Sequence, residues 1–250
     1  MRSLGFGFVS ATFSARDMGL PVSRPRLYMS GVRCASEAAA QRYADDALAA
    51  MTSGARPVPL DLLLLEETDA ELMMRDWMPE SLARPPEQPC GVTEGVWQQQ
   101  HRSSWGDIPP GVAASIVPQH AASPWFRLLS PRQRDLLLLA LCRRRVARKT
   151  ALAIPLHTSI GWDTPSQDAC LPALVPRGVY WLVSRRRPLL GVEAVRLQGC
   201  DPCSLPGLRP ESHDSAFLLN LAGNAFCVYQ FSAWLLASLA AGDVADVGGE

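Results

Sequence analysis

The chain has 250 residues, of which 48% are apolar and 19% charged, and its acids and bases balance to a formal charge of zero. That much apolar content excludes a disordered chain, and the neutral balance excludes a global electrostatic pull on nucleic acid or an anionic membrane. Seven cysteines with no regular spacing exclude a disulfide framework and point to reduced thiols in an intracellular compartment, the nucleus if the cell is eukaryotic.

Residues 5–14 alternate loosely and are rich in Phe, Val and Thr, which predicts a strand. The same start has an early Arg and small residues, as a targeting segment would, but Gly and Ser interrupt its apolar run. Gly19 and Pro21 punctuate a turn, and Arg26 to Val32 reads as a second strand, so a hairpin is expected. Ser36 is placed to cap an Ala-rich helix running to Met51. A stretch of mixed character follows, with an apolar run from Leu60 to Leu65 and a Pro-rich linker from Pro79 to Pro89. Trp97, Trp105 and Trp125 fall among polar residues read as loops. Ser130 and Pro131 open a strong helix that ends in a basic run, and Arg132 to Lys149 is a local stripe able to meet phosphates.

Further on, strand-like segments surround Arg177 and Gly178, and the short run Gly191 to Gln198 has the spacing of two helical turns. Val192, Val195 and Leu197 would face inward, and Glu193 and Arg196, three apart, could pair. Gly199 suits the left-handed residue that stops such a helix. Cys200 and Cys203 form one Cys-x-x-Cys pair with no second pair nearby, so no metal site is expected. The apolar stretch Phe217 to Ala241 is long enough to span a bilayer, but it carries Asn220, Asn224 and Gln230 and lacks charged flanks. A core helix over Ala225 to Ala241, stopped by Gly242, is expected rather than a membrane partner.

Three stretches in this order resemble the cytosine-5 methyltransferase family. The first is ARDMGLPVSRPRLYMSGVR, residues 15–33, with Gly19, Pro21, Arg24, Arg26 and Gly31 in the positions of the family's Arg-x-Arg hairpin; Val22 departs from the usual Gln. The second is RPLLGVEAVRLQG, in which Arg187, Leu189, Glu193, Arg196, Leu197, Gln198 and Gly199 match, while Leu190 stands where a capping Thr is usual. The third is Gly223-Asn224-Ala225, which in the family opens the last long helix. The matched ends make up about a third of the chain.

The resemblance implies an α/β fold: the C-terminal part of a Rossmann-like methyltransferase core, with a hairpin and last helices flanking an inserted, mostly irregular target-recognition region. It implies core residues 1–33, a recognition region 34–178 and a return to the core over 179–250. It implies S-adenosyl-L-methionine as cofactor and DNA as partner. In the family a thiolate adds to carbon 6 of a flipped-out cytosine, so that carbon 5 can take the methyl group. By the same resemblance Arg26 would face the base with Arg24 in support, Gly223, Asn224 and Ala225 would close the cofactor pocket, and Arg187 with the Glu193–Arg196 pair, Gln198 and Gly199 would brace the structure. The family's Gly-rich loop and Pro-Cys nucleophile would precede residue 15. They are therefore expected on an N-terminal catalytic half that acts as partner, and the chain is expected to be inactive alone. Pro89-Cys90 lies on the wrong side of the hairpin to serve. A non-catalytic nucleic-acid-binding remnant and an RNA-directed member of the family are the alternatives.

Overall fold

The computed structural model describes residues 5–34, 36–70, 94–149, 152–162, 170–204 and 215–247. The fold is mixed α/β, and its strand pairings among the described residues are antiparallel. The chain forms two compact units. Unit 1 is assembled from Met1–Leu63, Arg196–Cys200 and Ala225–Glu250, and unit 2 from Leu64–Val195 and Asp201–Asn224. These pieces do not coincide with segments 1–33, 34–178 and 179–250: residues 34–63 join the hairpin's unit, and Asp201–Asn224 joins the other.

In unit 1, β1 (Phe6–Phe13) pairs antiparallel with β2 (Arg26–Arg33), with Val9 opposite Ser30 and Phe13 opposite Arg26. The expected hairpin is present. Alternation sorts its side chains: Val9, Phe13, Tyr28 and Val32 point to one face and are buried. That face is covered by α1 (Glu37–Ser53) through Ala40 and Ala44, and by Trp234 and Ala241 of the last helix. Small residues on α1 let its backbone come close to the sheet. Ser36 caps α1 by accepting from the Ala39 amide, as its position suggested. Gln41 on α1 pairs with both backbone groups of Ser10 (2.9 and 3.0 Å), which blocks the middle of the β1 edge.

Unit 2 is mostly helical where it is described. It holds α2 (Glu94–Gly106), α3 (Pro110–Ala121), α4 (Pro131–Val146), a short sheet of β3 (Ala153–Pro155), β4 (Tyr180–Leu182) and β5 (Arg187–Pro188), then α5 (Gly191–Arg196) and α6 (Ser215–Asn224). The expectation of a mostly irregular region between the motifs is therefore corrected. The sequence hid α2 and α3 because neither has a clean apolar stripe: Gln-rich turns dominate one, and two prolines and a glycine punctuate the other. Trp97 and Trp105 sit on α2 rather than in loops, and Trp125 lies in a 3-10 turn, Pro124–Leu128.

Helix α4 is the spine of this unit. Ser130 and Gln133 form a reciprocal capping box at its start. Leu136, Leu139 and Cys142 pack with Ile108 and Ile160. Leu137, Ala140 and Leu141 pack with Phe126, Ile154, Leu156 and Trp181. With neighbours on two sides it needs apolar residues around most of its girth, which explains the run LLLLALC.

The last helix expected over Ala225 to Ala241 is α7 (Val228–Val247), which starts three residues later than expected; α6 precedes it, and Ala225, Phe226 and Cys227 separate the two. Gly242 does not stop α7, which continues to Val247. The Pro-rich linker Pro79 to Pro89 and Cys90 lie outside the described residues.

Candidate functional site

Among the described residues of unit 2, Arg187 and Glu193 form a charge pair with both side chains fully buried. The pairing is bidentate: Arg187 Nη1 donates to Glu193 Oε2 at 2.9 Å and Nη2 donates to Oε1 at 2.7 Å. The same carboxylate accepts the Leu190 amide at 2.9 Å and the Leu65 amide at 2.9 Å. Four donors thus satisfy one buried carboxylate, which is what a charge needs once water is removed. Glu67 approaches Arg187 Nε at 3.6 Å from the more exposed side.

This geometry corrects the expected Glu193–Arg196 pair. Among the described residues Glu193 pairs with Arg187, because the inward turn of α5 aims its carboxylate at β5. It also explains how the helix starts without the usual Thr. Glu193, three residues past Leu190, caps the Leu190 amide, and Ser215 Oγ accepts from the Gly191 amide at 2.6 Å. Val192, Val195 and Leu197 are buried, as their spacing required. Gly199 has φ of +80°, the expected left-handed stop, and the Tyr229 ring lies against it.

Unit 1 gathers the Arg-x-Arg stretch, Gln198, Gly199 and the start of α7. Arg24 is buried; its amide donates to Ser14 Oγ at 2.9 Å and its carbonyl accepts from Gln230 Nε2. Gln230 is fully buried and also donates to the Phe13 carbonyl at 2.8 Å, so it ties α7 to the end of β1 and to the connection that precedes β2. Arg26 is half-buried at the start of β2. The Gln198 carbonyl accepts from the Val228 amide at 2.8 Å, which anchors the first turn of α7. Gln230, Cys227 and Tyr28 join this corner without being marked as site residues in the sequence. Gln230 was detectable only as a polar residue in an apolar run; the other two left no signal.

Burial pushes the Cys227 thiol up, outweighing the Gln230 and Tyr229 amides that donate to it and the nearby Arg24 guanidinium. Burial therefore favours the protonated form of the Cys227 thiol. Burial likewise raises the Tyr28 hydroxyl, helped by Cys227 and opposed by Arg26 and Arg24.

Gly223, Asn224 and Ala225 do not open a helix. Gly223 and Asn224 end α6, Ala225 follows it, and α7 begins three residues later. Asn224 Nδ2 donates to the Asn220 carbonyl at 3.0 Å, so its amide serves a helix C-terminus rather than capping an N-terminus. The space a side chain would occupy at Gly223 is filled by the backbone of Val175 and Pro176.

The basic stripe is only partly available to a ligand. Arg132 Nη2 donates to the Thr158 carbonyl at 2.9 Å, and burial lowers its pKa. Arg143 Nη2 donates to Ser104 Oγ, and Arg144 is buried against the Ala140 carbonyl. Arg145 and Arg148 remain exposed.

Beside this stripe, Asp135 of α4 accepts from His101 Nδ1 at 2.5 Å and from Trp105 Nε1 at 2.7 Å. Burial pushes the Asp135 carboxyl up, but the His101 and Trp105 hydrogen bonds outweigh it and hold the pKa below its usual value. A carboxylate with a depressed folded pKa adds stability that is fully present above the unfolded pKa and is lost as pH falls through the folded value. Asp135→Asn is expected to cost about 1–3 kcal/mol at neutral pH. In urea titrations at stepped pH it should also flatten the loss of stability below about pH 4.

No protein-family model matches this chain, and no curated protein matches it significantly.

Proposed function

We propose that the chain is the DNA-recognising, C-terminal part of a cytosine-5 DNA methyltransferase, within a Rossmann-like methyltransferase core. One observation carries the reading. Unit 1 is built from three separated pieces, and these bring the Arg-x-Arg hairpin, the Leu-Gln-Gly segment and the last helix into one body. Most of the chain between them, Leu64–Val195 and Asp201–Asn224, forms a unit of its own that also takes in Arg187, Glu193, Gly223 and Asn224, as a recognition region inserted in a catalytic core and braced at its ends would. The resemblance in motif order supports the same reading.

In this proposal Arg26, with Arg24 behind it, offers a planar cation to a carbonyl oxygen of the flipped base or to a neighbouring phosphate. Exposed Arg145 and Arg148 supply phosphate contacts from unit 2. Arg187 and Glu193 are positioning residues that hold α5 on β5. The nucleophile comes from the N-terminal catalytic half. S-adenosyl-L-methionine is the methyl donor the reading calls for. The Gly223-Asn224-Ala225 corner does not by itself fit it: the space at Gly223 is occupied by backbone and the Asn224 amide is engaged. Most of the cofactor site is assigned to the catalytic half.

Fluorescence anisotropy with duplex DNA over a salt series tests the proposal. Binding should weaken steeply with salt, and the Arg145→Ala, Arg148→Ala pair should reduce the log–log slope by about two. Labelled methyl transfer should be absent for the chain alone and appear when the catalytic half is supplied. Absent or salt-independent binding would overturn the reading. Binding without transfer in the complemented enzyme would favour a non-catalytic remnant, and preference for an RNA competitor an RNA-directed enzyme.

A further inference from the structure

From Val228 to Ala240 helix α7 is uncharged and mostly apolar, yet its large apolar side chains are buried on one face and exposed on the other. Gln230, Ala233, Trp234, Ala237, Ser238 and Ala241 are buried. That face is also fastened by polar bonds: Gln230 to the hairpin backbone, and Trp234 Nε1 and Ser238 Oγ to Ser30 Oγ at 2.8 and 3.1 Å. The opposite face carries Val228, Phe231, Leu235, Leu236 and Leu239, with Phe226 just before the helix; these side chains are between 39% and 61% exposed.

We propose that this outward face of α7 is a dimer interface, closed by the same face of a second copy of this chain. Four features select that occupant. Val228, Ser232, Leu235 and Leu239 repeat at four, three and four residues, the seam spacing by which one helix receives another. Among the described residues, the helix that offers such a seam to solvent is α7 itself. No charged residue occurs from Phe226 to Ala240, so identical faces meet without like-charge repulsion. The area also fits. Six large side chains about half exposed present roughly 500 Å² of apolar surface, close to the apolar share of the ~800 Å² each partner contributes to a standard interface.

A lipid bilayer is the competing occupant by composition, since Ser215–Gly242 is long and apolar enough to cross a membrane. Two observations disfavour it. A spanning helix needs lipid or protein around its whole girth, whereas the inner face of α7 is tied by hydrogen bonds to polar groups of the hairpin: the Phe13 and Arg24 carbonyls and Ser30 Oγ. A helix lying on the membrane draws on cations, and no Lys or Arg occurs from Ser215 to Glu250. The inference is independent of the methyltransferase reading, because it concerns self-association and not DNA.

Sedimentation velocity of the full chain over a concentration series tests it. A monomer–dimer equilibrium is expected, with Leu235→Glu and Leu239→Glu each raising the dissociation constant about a hundredfold. Circular dichroism should show both variants folded as the parent, since both positions are exposed in the monomer. Leu27→Glu, on the outward face of the hairpin, should leave dimerisation unchanged. A monomer at every concentration would overturn the proposal. So would a dimer insensitive to Leu235→Glu but broken by Leu27→Glu. Leu235-dependent flotation with phosphatidylcholine–phosphatidylserine vesicles, without dimerisation in their absence, would assign the face to lipid instead.

Discussion

Replacing Arg187 with Ala is expected to lower the stability of unit 2 by about 3–5 kcal/mol, because it leaves the Glu193 carboxylate buried without its counter-charge. Both side chains are fully buried, so no water can replace the lost guanidinium without a local opening. The tryptophans of α2, β4 and the Pro124–Leu128 turn report on this unit, so the shift should appear in urea unfolding followed by fluorescence. Removing both charges, as Arg187→Met with Glu193→Leu, should recover only part of the loss. An apolar pair can replace a buried ion pair with little penalty in favourable cases. Here the Leu65 and Leu190 amides also lose their acceptor, and each unsatisfied amide costs about 1–3 kcal/mol. A double variant as stable as the parent would show that the carboxylate's backbone contacts contribute nothing. A single variant within 1 kcal/mol of the parent would show that the pair is not buried in solution.

Gly223→Ala is the second large effect. A methyl group there would overlap the backbone of Val175 and Pro176, which cannot move aside as a side-chain tip could. Overpacking in a well-filled core commonly costs about 1–3 kcal/mol, and the expected loss lies at the top of that range. The contrast is Gly242→Ala. Gly242 lies in α7 with open space around it, so Ala should stabilise the helix by about 0.5–1 kcal/mol. Thermal unfolding of the two variants side by side separates the causes. Equal effects would mean that helix propensity, not the close approach of two backbones, decides at Gly223. The same measurement bears on function: a glycine kept for its own chain's packing needs no ligand to explain it.

Much of the local structure was legible in the residues. The hairpin followed from alternation and turn residues, the starts of α1 and α4 from Ser36 and Ser130, and the end of the Arg-Leu-Gln-Gly segment from Gly199. These features depend on neighbours a few positions apart, so they are written locally. The helices α2 and α3 were not legible, because their burial is decided by α4 rather than by a stripe of their own. The break at Ala225–Cys227 was hidden for a related reason. A continuous apolar run looks the same whether it forms one helix or two, and the interruption is held by Gln198 and by the Cys227 cap, far apart in sequence.

For the candidate site the division is sharper. The sequence alone determined which residues carry charge and in what order the motif stretches occur: Arg24 and Arg26, then Arg187, Glu193 and Arg196, then Gly223, Asn224 and Ala225. Only the tertiary structure decided what those residues do to one another. It turned Glu193 toward Arg187 instead of Arg196, spent the Asn224 amide on Asn220, and withdrew Arg132, Arg143 and Arg144 from the basic stripe into internal hydrogen bonds. The physical reason is desolvation. A buried charge or amide must find a partner wherever the fold supplies one, and that partner is set by position in space rather than by distance along the chain.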